Sequence, residues 1–302
     1  MSDEEGSLDE KRVYAGGREA TVVFVAADVG LARVSVADDL VGEFSLVHRG
    51  PVRDAVVVDG RLALATEEDV VLERGRESPS ETQSEAQSEA SPTDDAVAFV
   101  ETGFGPATAV GTSGGTVSDS GGDGGRLVAA GAGDGRIAVY DPDDGWRDRG
   151  TVEDVRAIDG ELVAAAGGVH RLDGTHVGLD DARDVSSVGT PLAATGSGLY
   201  YLANGWMDAL DGSFGVVASD GRRAHAATDE ALYERVDGGR RSGGGEWEPV
   251  ELPIEGVVAD VALGADGTTY VLTESGALLV DAGDGWRHRS LGLAGARALA
   301  LQ

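Results

Sequence analysis

Residues 153–179 have the sequence EDVRAIDGELVAAAGGVHRLDGTHVGL, which contains the clearest copy of a repeated unit. It contains four short extended pieces, VRAI, LVAAA, VHRL and THVGL, separated by Asp159-Gly160, Gly167-Gly168 and Asp173-Gly174. Asp-Gly between two apolar runs is a strong signal for a β-hairpin turn. The stretch therefore predicts an antiparallel meander of four strands, which we call strands A to D.

The same unit recurs along the chain. Strand A begins near residues 53, 106, 153, 183, 214, 259 and 296. The last of these lies in the C-terminal ARALALQ and has no strands B to D after it, whereas residues 20–47 supply B, C and D with no A before them. The two ends thus complete one blade, and the sequence predicts an all-β, closed β-propeller of seven four-stranded antiparallel blades. Six blades is the alternative if the irregular copy at residues 105–151 is not a full blade.

A tail and three insertions depart from the repeat. We expect residues 1–19 to be a disordered acidic tail and residues 20–302 to form a single propeller domain. The insertions at 75–95, 113–125 and 238–245 are rich in Ser, Glu, Gln or Gly and are predicted to be flexible. All three fall in A–B or C–D connections, on what we call the insertion face. The B–C and D–A turns form the opposite, short-loop face.

The charge of the chain points to its surroundings. Its 302 residues carry 54 acidic and 24 basic side chains, a formal net charge of −30, and no Cys. The acids are spread along the sequence, which favours a cytoplasm near molar salt, where the Debye length is about 3 Å, over a basic partner. Neither a membrane span nor a signal peptide is recognisable. We expect a cytoplasmic monomer that binds neither membranes nor nucleic acids, since no basic stripe is present.

Two residue types recur at fixed places in the repeat. Tryptophans begin strand D and predict packing between blades. Aspartates at the head of strand A either accept N–H bonds of their own D–A turn or form a ring of carboxylates that holds a cation. Repetition favours the structural role for both, because it needs no ligand. The tryptophans are Trp146, Trp206, Trp247 and Trp286, and the aspartates are Asp54, Asp154, Asp184 and Asp260.

Arginines offer the sharpest candidate for a ligand site. Arg53, Arg183 and Arg297 lie at the start of strand A, next to the D–A turn. Near the mouth of a central channel, their guanidinium groups are suited to bind a carboxylate or phosphate. The alternative is that they pair with neighbouring aspartates and bind nothing else.

Catalytic motifs are not recognisable. The five histidines, His48, His170, His176, His225 and His288, show no metal-ligand spacing, and no P-loop or nucleophile elbow occurs. We therefore predict no metal and no cofactor, and the sequence leans away from an enzyme without excluding one.

The overall pattern resembles a β-propeller family of halophilic archaea. The resemblance rests on GEFSLVHRG from Gly42, on RDAVVVDGRLALAT from Arg53, and on the blades that follow to the C-terminus. It implies the propeller fold and an archaeal cytoplasm, and it brings no catalytic residues. The Gly-His and Trp-Asp signatures of WD-repeat propellers are missing.

Two functions remain open from the sequence. The first is a non-enzymatic binding or scaffold propeller that presents a face to a protein partner. The alternative is a small-anion binder or enzyme that uses the central funnel, with Arg53, Arg183 and Arg297 holding the anionic group.

Overall fold

The computed structural model describes residues 20–37, 39–75, 97–114, 125–236 and 245–302. Within these ranges the chain forms seven four-stranded antiparallel sheets and no helix. The all-β propeller is therefore confirmed with seven blades, and the six-blade alternative is wrong. No helix in the described ranges has the length and apolar character to cross a membrane.

The strands follow one another along the chain with short connections. In order they are β1 (Thr21–Ala27), β2 (Gly30–Ala37), β3 (Leu40–Arg49), β4 (Val52–Val58), β5 (Arg61–Thr66), β6 (Val70–Glu73), β7 (Phe99–Glu101), β8 (Ala107–Ser113), β9 (Arg126–Gly131), β10 (Arg136–Asp141), β11 (Gly145–Thr151), β12 (Val155–Asp159), β13 (Leu162–Ala165), β14 (Gly168–Arg171), β15 (His176–Gly178), β16 (Ala182–Ser186), β17 (Leu192–Thr195), β18 (Gly198–Leu202), β19 (Trp206–Asp211), β20 (Phe214–Ser219), β21 (Ala224–Thr228), β22 (Leu232–Val236), β23 (Glu246–Val250), β24 (Val258–Leu263), β25 (Thr269–Thr273), β26 (Ala277–Asp281), β27 (Arg287–Ser290) and β28 (Ala298–Leu301).

Blade 1 joins the two ends of the chain. Its strand order is β28-β1-β2-β3, whereas blades 2 to 7 each consist of four consecutive strands, from β4–β7 to β24–β27. Leu301 pairs with Val23 and Leu299 pairs with Val25 across the antiparallel ladder. The backbone N–H of Gln302 donates to the carbonyl of Val22 at 2.9 Å and closes the last rung. The C-terminal strand is therefore the innermost strand of the first blade.

The innermost strands of the blades form a closed ring. Each of β4, β8, β12, β16, β20, β24 and β28 contacts the next, and β28 contacts β4. No innermost strand is left without a neighbouring blade on either side. The outermost strands, β3 among them, leave their outer edges unpaired within the described residues.

Apolar clusters fill the seams between neighbouring blades. In the seam between blades 6 and 7, Val216 and Leu232 pack with Val261, Val271 and Leu279. The second strands of the blades are buried along most of their length, as the pattern of β17 shows. Both faces of such a strand touch a neighbouring blade, so polar residues do not alternate with apolar ones. Alanine and valine prevail here because the blades converge toward the axis and leave little volume.

The predicted insertions fall between the expected strands. Residues 75–95 and 238–245 connect third to fourth strands, β6 to β7 and β22 to β23, and residues 113–125 connect β8 to β9. Most of each insertion, like the tail at 1–19, lies outside the described residues, so their flexibility stays a prediction.

Deleting residues 296–302 should lower the free energy of unfolding by roughly 4 kcal/mol or more, because it strips a buried strand and exposes the edge of β1. Leu299→Ala, which keeps the strand but empties part of its buried contact, should lower it by about 2–3 kcal/mol. Urea denaturation followed by tryptophan fluorescence measures both effects. Gln302→Ala, which leaves the ladder intact, serves as the control. A deletion variant that unfolds like the full chain would show that the ring is not closed by β28.

Candidate functional site

The predicted arginines sit where their strands enter the ring, and each contacts a carboxylate. Arg53 donates from Nη1 to the carbonyl of Ala107 in blade 3 at 3.3 Å, and its Nη2 lies 3.3 Å from Glu67 Oε1. Glu67 lies in the adjacent B–C turn of blade 2. Arg53 thus links two blades, and its charge is balanced by a local acid.

Arg183 and Arg297 follow the same rule. Arg183 donates to Ser213 Oγ at 2.9 Å and lies 3.6 Å from Asp181 Oδ2. Arg297 donates to the carbonyl of Gly295 at 3.0 Å and forms an ion pair with Asp28. An incoming anion would have to compete with these carboxylates. The hypothesis of an anion site at the three arginines stays a prediction, and no contact of theirs favours it.

Arg156 belongs to this group although the sequence patterns did not single it out. Its Nη1 lies 2.7 Å from Asp181 Oδ1 and 3.2 Å from the carbonyl of Ala182 in the next blade. The signal was its place as the second residue of β12, which corresponds to the place of Arg53 in β4. Arginine at this place joins neighbouring blades on the short-loop face.

Three of the four predicted aspartates bridge the innermost strands of neighbouring blades. Asp54 accepts from the N–H of Ala55 at 2.8 Å and from that of Val110 in blade 3 at 3.0 Å. Asp184 accepts from Val185 and Val217 at 2.8 Å each. These bonds are made to the strands and not to the D–A turn that the sequence suggested, because the carboxyl points along the ring.

The third bridge lies at the seam where the chain ends meet. Asp260 accepts from the N–H of Val261 at 2.7 Å and from that of Leu299 on β28 at 2.6 Å. Asp154 takes a different place: it lies in the turn before β12 with a φ of 51°, and its side chain is exposed. The structure therefore brings Asp54, Asp184 and Asp260 together and leaves Asp154 apart.

Burial of the three bridging carboxyls has an electrostatic consequence. It raises the pKa of Asp54 and of Asp260 to about 7 and that of Asp184 to about 8, against the action of their N–H donors. Repulsion adds to the rise, since Asp184 acts on Asp54, Asp260 on Asp184, and Asp54 on Asp260. The three groups are thus close enough to repel one another. Among the described residues, no set of three or more His, Asp or Glu side chains is placed to hold a metal ion.

The tryptophans lie in seams, each against the blade that precedes its own. Trp206 donates from Nε1 to the carbonyl of Val177 in blade 4 at 3.0 Å. Trp146 packs on Phe104, with ring centroids 4.6 Å apart. Trp247 joins the apolar cluster of blades 5 and 6, and Trp286 that of blades 6 and 7. Their positions bring none of the four rings together into one surface.

Threonines organise the B–C turns on the short-loop face. The hydroxyl of Thr195 donates to the carbonyl of Gly198 at 2.9 Å and accepts from its N–H at 3.1 Å. In blade 2, Asp69 of the same kind of turn is buried instead of solvated, because it accepts from the N–H groups of Gly103 and Gly105, each at 2.8 Å. The remaining acids of these turns stay exposed.

Acidic side chains dominate the solvent-facing part of the short-loop face. The exposed acids in its turns include Asp28, Glu67, Glu68, Asp134, Glu153, Asp154, Asp180, Asp229, Glu230, Glu255 and Glu274. The arginines of this face are engaged with carboxylates, as described above. The face therefore presents a net negative field to any molecule that approaches it.

A groove of about 520 Å³ opens on this face between blades 6 and 7, and we call it the short-loop groove. Its floor is apolar and its rim is acidic. The floor is formed by Leu232, Val250, Leu252, Ile254 and Val258, and the rim by Asp229, Glu230 and Glu255. The connection at 251–257 builds one wall and is longer than the two-residue connection between β19 and β20. The connection at 291–297 is equally long, so length alone did not signal this groove, and the repeat analysis missed it.

Comparison with known proteins supports the fold. The family described as Beta-prop_HVO_0234-like, beta propeller, matches residues 7–302. No curated protein matches the chain.

Two similar crystal structures are of the extracellular domain of BT4673 from B. thetaiotaomicron, described in one case as a one component system and in the other as a hybrid two component system. The TM-score is 0.54 for both, at 13% and 12% identity. The matches cover 85% and 83% of this chain. This chain spans 38% and 35% of the length of the two similar chains. At this identity the likeness shows the fold alone.

The three raised pKa values predict how stability depends on pH. The unfolded carboxyls titrate near 3.8, whereas the folded ones hold their protons up to pH 7 or 8. The folded state therefore binds more protons across that window, and the free energy of unfolding falls as the pH rises through it. Between pH 5 and pH 8 we expect a decrease on the order of a few kcal/mol from the three groups together.

Urea denaturation at fixed ionic strength measures this decrease. The triple variant Asp54→Asn, Asp184→Asn, Asp260→Asn should show a smaller difference between the two pH values than the wild type. Asp154→Asn, which changes an exposed turn residue whose positive φ suits asparagine, should leave the difference unchanged. An unaltered pH dependence in the triple variant would contradict the raised pKa values.

Proposed function

This chain belongs to the Beta-prop_HVO_0234-like family of β-propellers, and on that scaffold we propose a non-enzymatic binding protein that presents its short-loop face to another protein. The short-loop groove is the observation that carries the proposal. It combines an apolar floor with an acidic rim on a face whose exposed turns are rich in acids. The proposed occupant is a segment of a partner protein that carries apolar side chains flanked by Arg or Lys.

Each half of the groove has a separate role in this proposal. Leu252 and Ile254 are only partly buried, so an apolar side chain that covers them gains about 25 cal/mol for each Å² removed from water. Asp229, Glu230 and Glu255 are exposed and would attract basic residues, which speeds association and sets the orientation of the segment. High salt weakens the second contribution more than the first.

The cellular surroundings and the oligomeric state proposed here are those expected from the sequence. A monomer in a halophilic, archaeal cytoplasm explains acids that are spread over the chain. The extracellular location named for the similar structures is theirs. A small-anion binder or an enzyme at the funnel remains the alternative, and the ion pairs of Arg53, Arg183 and Arg297 give it no support.

A displayed peptide library selected on the full chain in high KCl should enrich peptides that combine apolar residues with Arg or Lys. Fluorescence anisotropy then measures their affinity. The variant Asp229→Arg, Glu230→Arg, Glu255→Arg should weaken the enriched peptides by about 10-fold or more at moderate salt, and by less in high KCl, because it turns attraction into repulsion at the rim. Ile254→Asp should weaken binding of the same peptides, because it places a charge on the apolar floor of the groove.

The matched control carries the same change of charge away from the short-loop face. It combines Asp143→Arg, Asp208→Arg and Asp284→Arg. Asp143 and Asp284 lie in C–D turns, Asp208 lies on the outer strand β19, and all three residues are exposed. This control should bind the peptides as the wild type does. Peptides that bind the rim variant and the control equally, or a library that yields no binder, would overturn the proposal.

A further inference from the structure

A second cavity of about 440 Å³ lies at the opposite end of the seam between blades 6 and 7, and we call it the insertion-face cavity. It shares only Val250 with the short-loop groove. Its polar walls come from four strands: His225 on β21 and Glu234 on β22 in blade 6, and Thr269 on β25 and Asp281 on β26 in blade 7. His225 and Glu234 are paired across the ladder, and so are Thr269 and Asp281.

His225 is buried and lacks a hydrogen-bond partner. The residue is 5% exposed, and its Nδ1 has no partner within the described residues. The Nε2 atom lies 3.9 Å from Glu234 Oε2, beyond a direct hydrogen bond. Burial, and then the charge of Arg223, lower the pKa of His225 to about 4, so the ring is neutral near pH 7. An unpartnered polar group costs about 1–3 kcal/mol when it is taken out of water.

The other blades show that the fold does not need a histidine here. The register of each second strand against its innermost strand identifies the corresponding position in all seven blades. None of the other six blades has an imidazole or a carboxylate there. The residues are Phe24, Ala63, Val128, Leu162, Leu192 and Tyr270. Leucine fills this position in two other blades, so packing alone does not require a buried imidazole in blade 6.

The surroundings of His225 favour a cation over an anion. Glu234, Glu251 and Asp281 place three carboxylates at the cavity, against the guanidinium groups of Arg223 and Arg235. Arg235 donates to the carbonyl of Arg222 at 3.5 Å. Arg223 is already engaged, since its guanidinium donates to the carbonyl of Gly264 and pairs with Asp220 at 2.8 Å. Trp286 also lines the cavity, and an indole ring attracts a positive charge at its face. Metal coordination is not favoured, because no metal-holding set occurs among the described residues.

We propose that the insertion-face cavity binds a small organic cation with N–H donors, a primary ammonium or guanidinium compound. The cationic group donates to the carboxylates of Glu234 and Asp281 and to Nε2 of His225, the ring nitrogen on the side of Glu234. The apolar part of the ligand packs against Trp286.

The test is an NMR titration of the full chain with 1,4-diaminobutane at fixed ionic strength, observing the Cε1–H signals of the five histidines. The His225 signal, assigned by its loss in His225→Leu, should shift and saturate. Glu234→Gln and Asp281→Asn should each weaken binding by about 10-fold or more, as expected for a lost charge-assisted hydrogen bond. Asp284→Asn removes an exposed carboxylate near Asp281 and should leave the affinity unchanged.

A second measurement separates a binding role from a structural one. His225→Leu places in blade 6 the residue found in blades 4 and 5, so it should raise the thermal midpoint while it weakens diamine binding seen by calorimetry. A lower midpoint with unchanged binding would overturn the proposal. The proposal would also be overturned if the His225 signal does not shift at any diamine concentration up to about 50 mM, at which even a weak specific site is occupied. An equal shift in the Glu234 and Asp281 variants would overturn it as well.

Discussion

The pairing of β28 with β1 is the interaction on which the rest of the structure depends. A strand gains its stability from neighbours that satisfy its backbone N–H and C=O groups. Six blades obtain their four strands from consecutive sequence, but blade 1 obtains its innermost strand from the other end of the chain. The rung between Val23 and Leu301 therefore converts an open row of blades into a ring. Without it, the innermost edge of β1 and one face of each flanking blade would meet water.

Polar bridges near the axis add direction to an otherwise apolar ring. The seams are filled with Ala, Val and Leu, which pack well but form no directional bond between neighbouring blades. The carboxyls of Asp54, Asp184 and Asp260 each join the backbone of one innermost strand to that of the next, and Arg53 and Arg156 do the same with carbonyls. These bridges need desolvated carboxyls, and mutual repulsion around the axis is the electrostatic consequence.

One seam carries both sites proposed for this protein. The short-loop groove and the insertion-face cavity lie at opposite ends of the seam between blades 6 and 7. At one end, the long connection at 251–257 holds Leu252 and Ile254 open to solvent. At the other, His225 replaces an apolar residue of the repeat. The middle of the seam, with Val216 and Leu279, is packed like the others. Departures from the repeat thus lie at the two ends of the seam.

The blades, their number and the place of the closing strand could all be predicted from the residues. Turns such as Asp159-Gly160 and the apolar runs beside them are local signals, and a repeat multiplies them, so the split of blade 1 between residues 20–47 and ARALALQ could be deduced from counting. The side-chain contacts between blades became visible only in the folded protein. Asp54 bonds the N–H of Val110, Asp69 is buried by Gly103 and Gly105, and His225 is left without a partner beside Glu234 and Asp281. These contacts join different blades or turns, and they depend on how neighbouring sheets are oriented, which no local pattern of residues encodes.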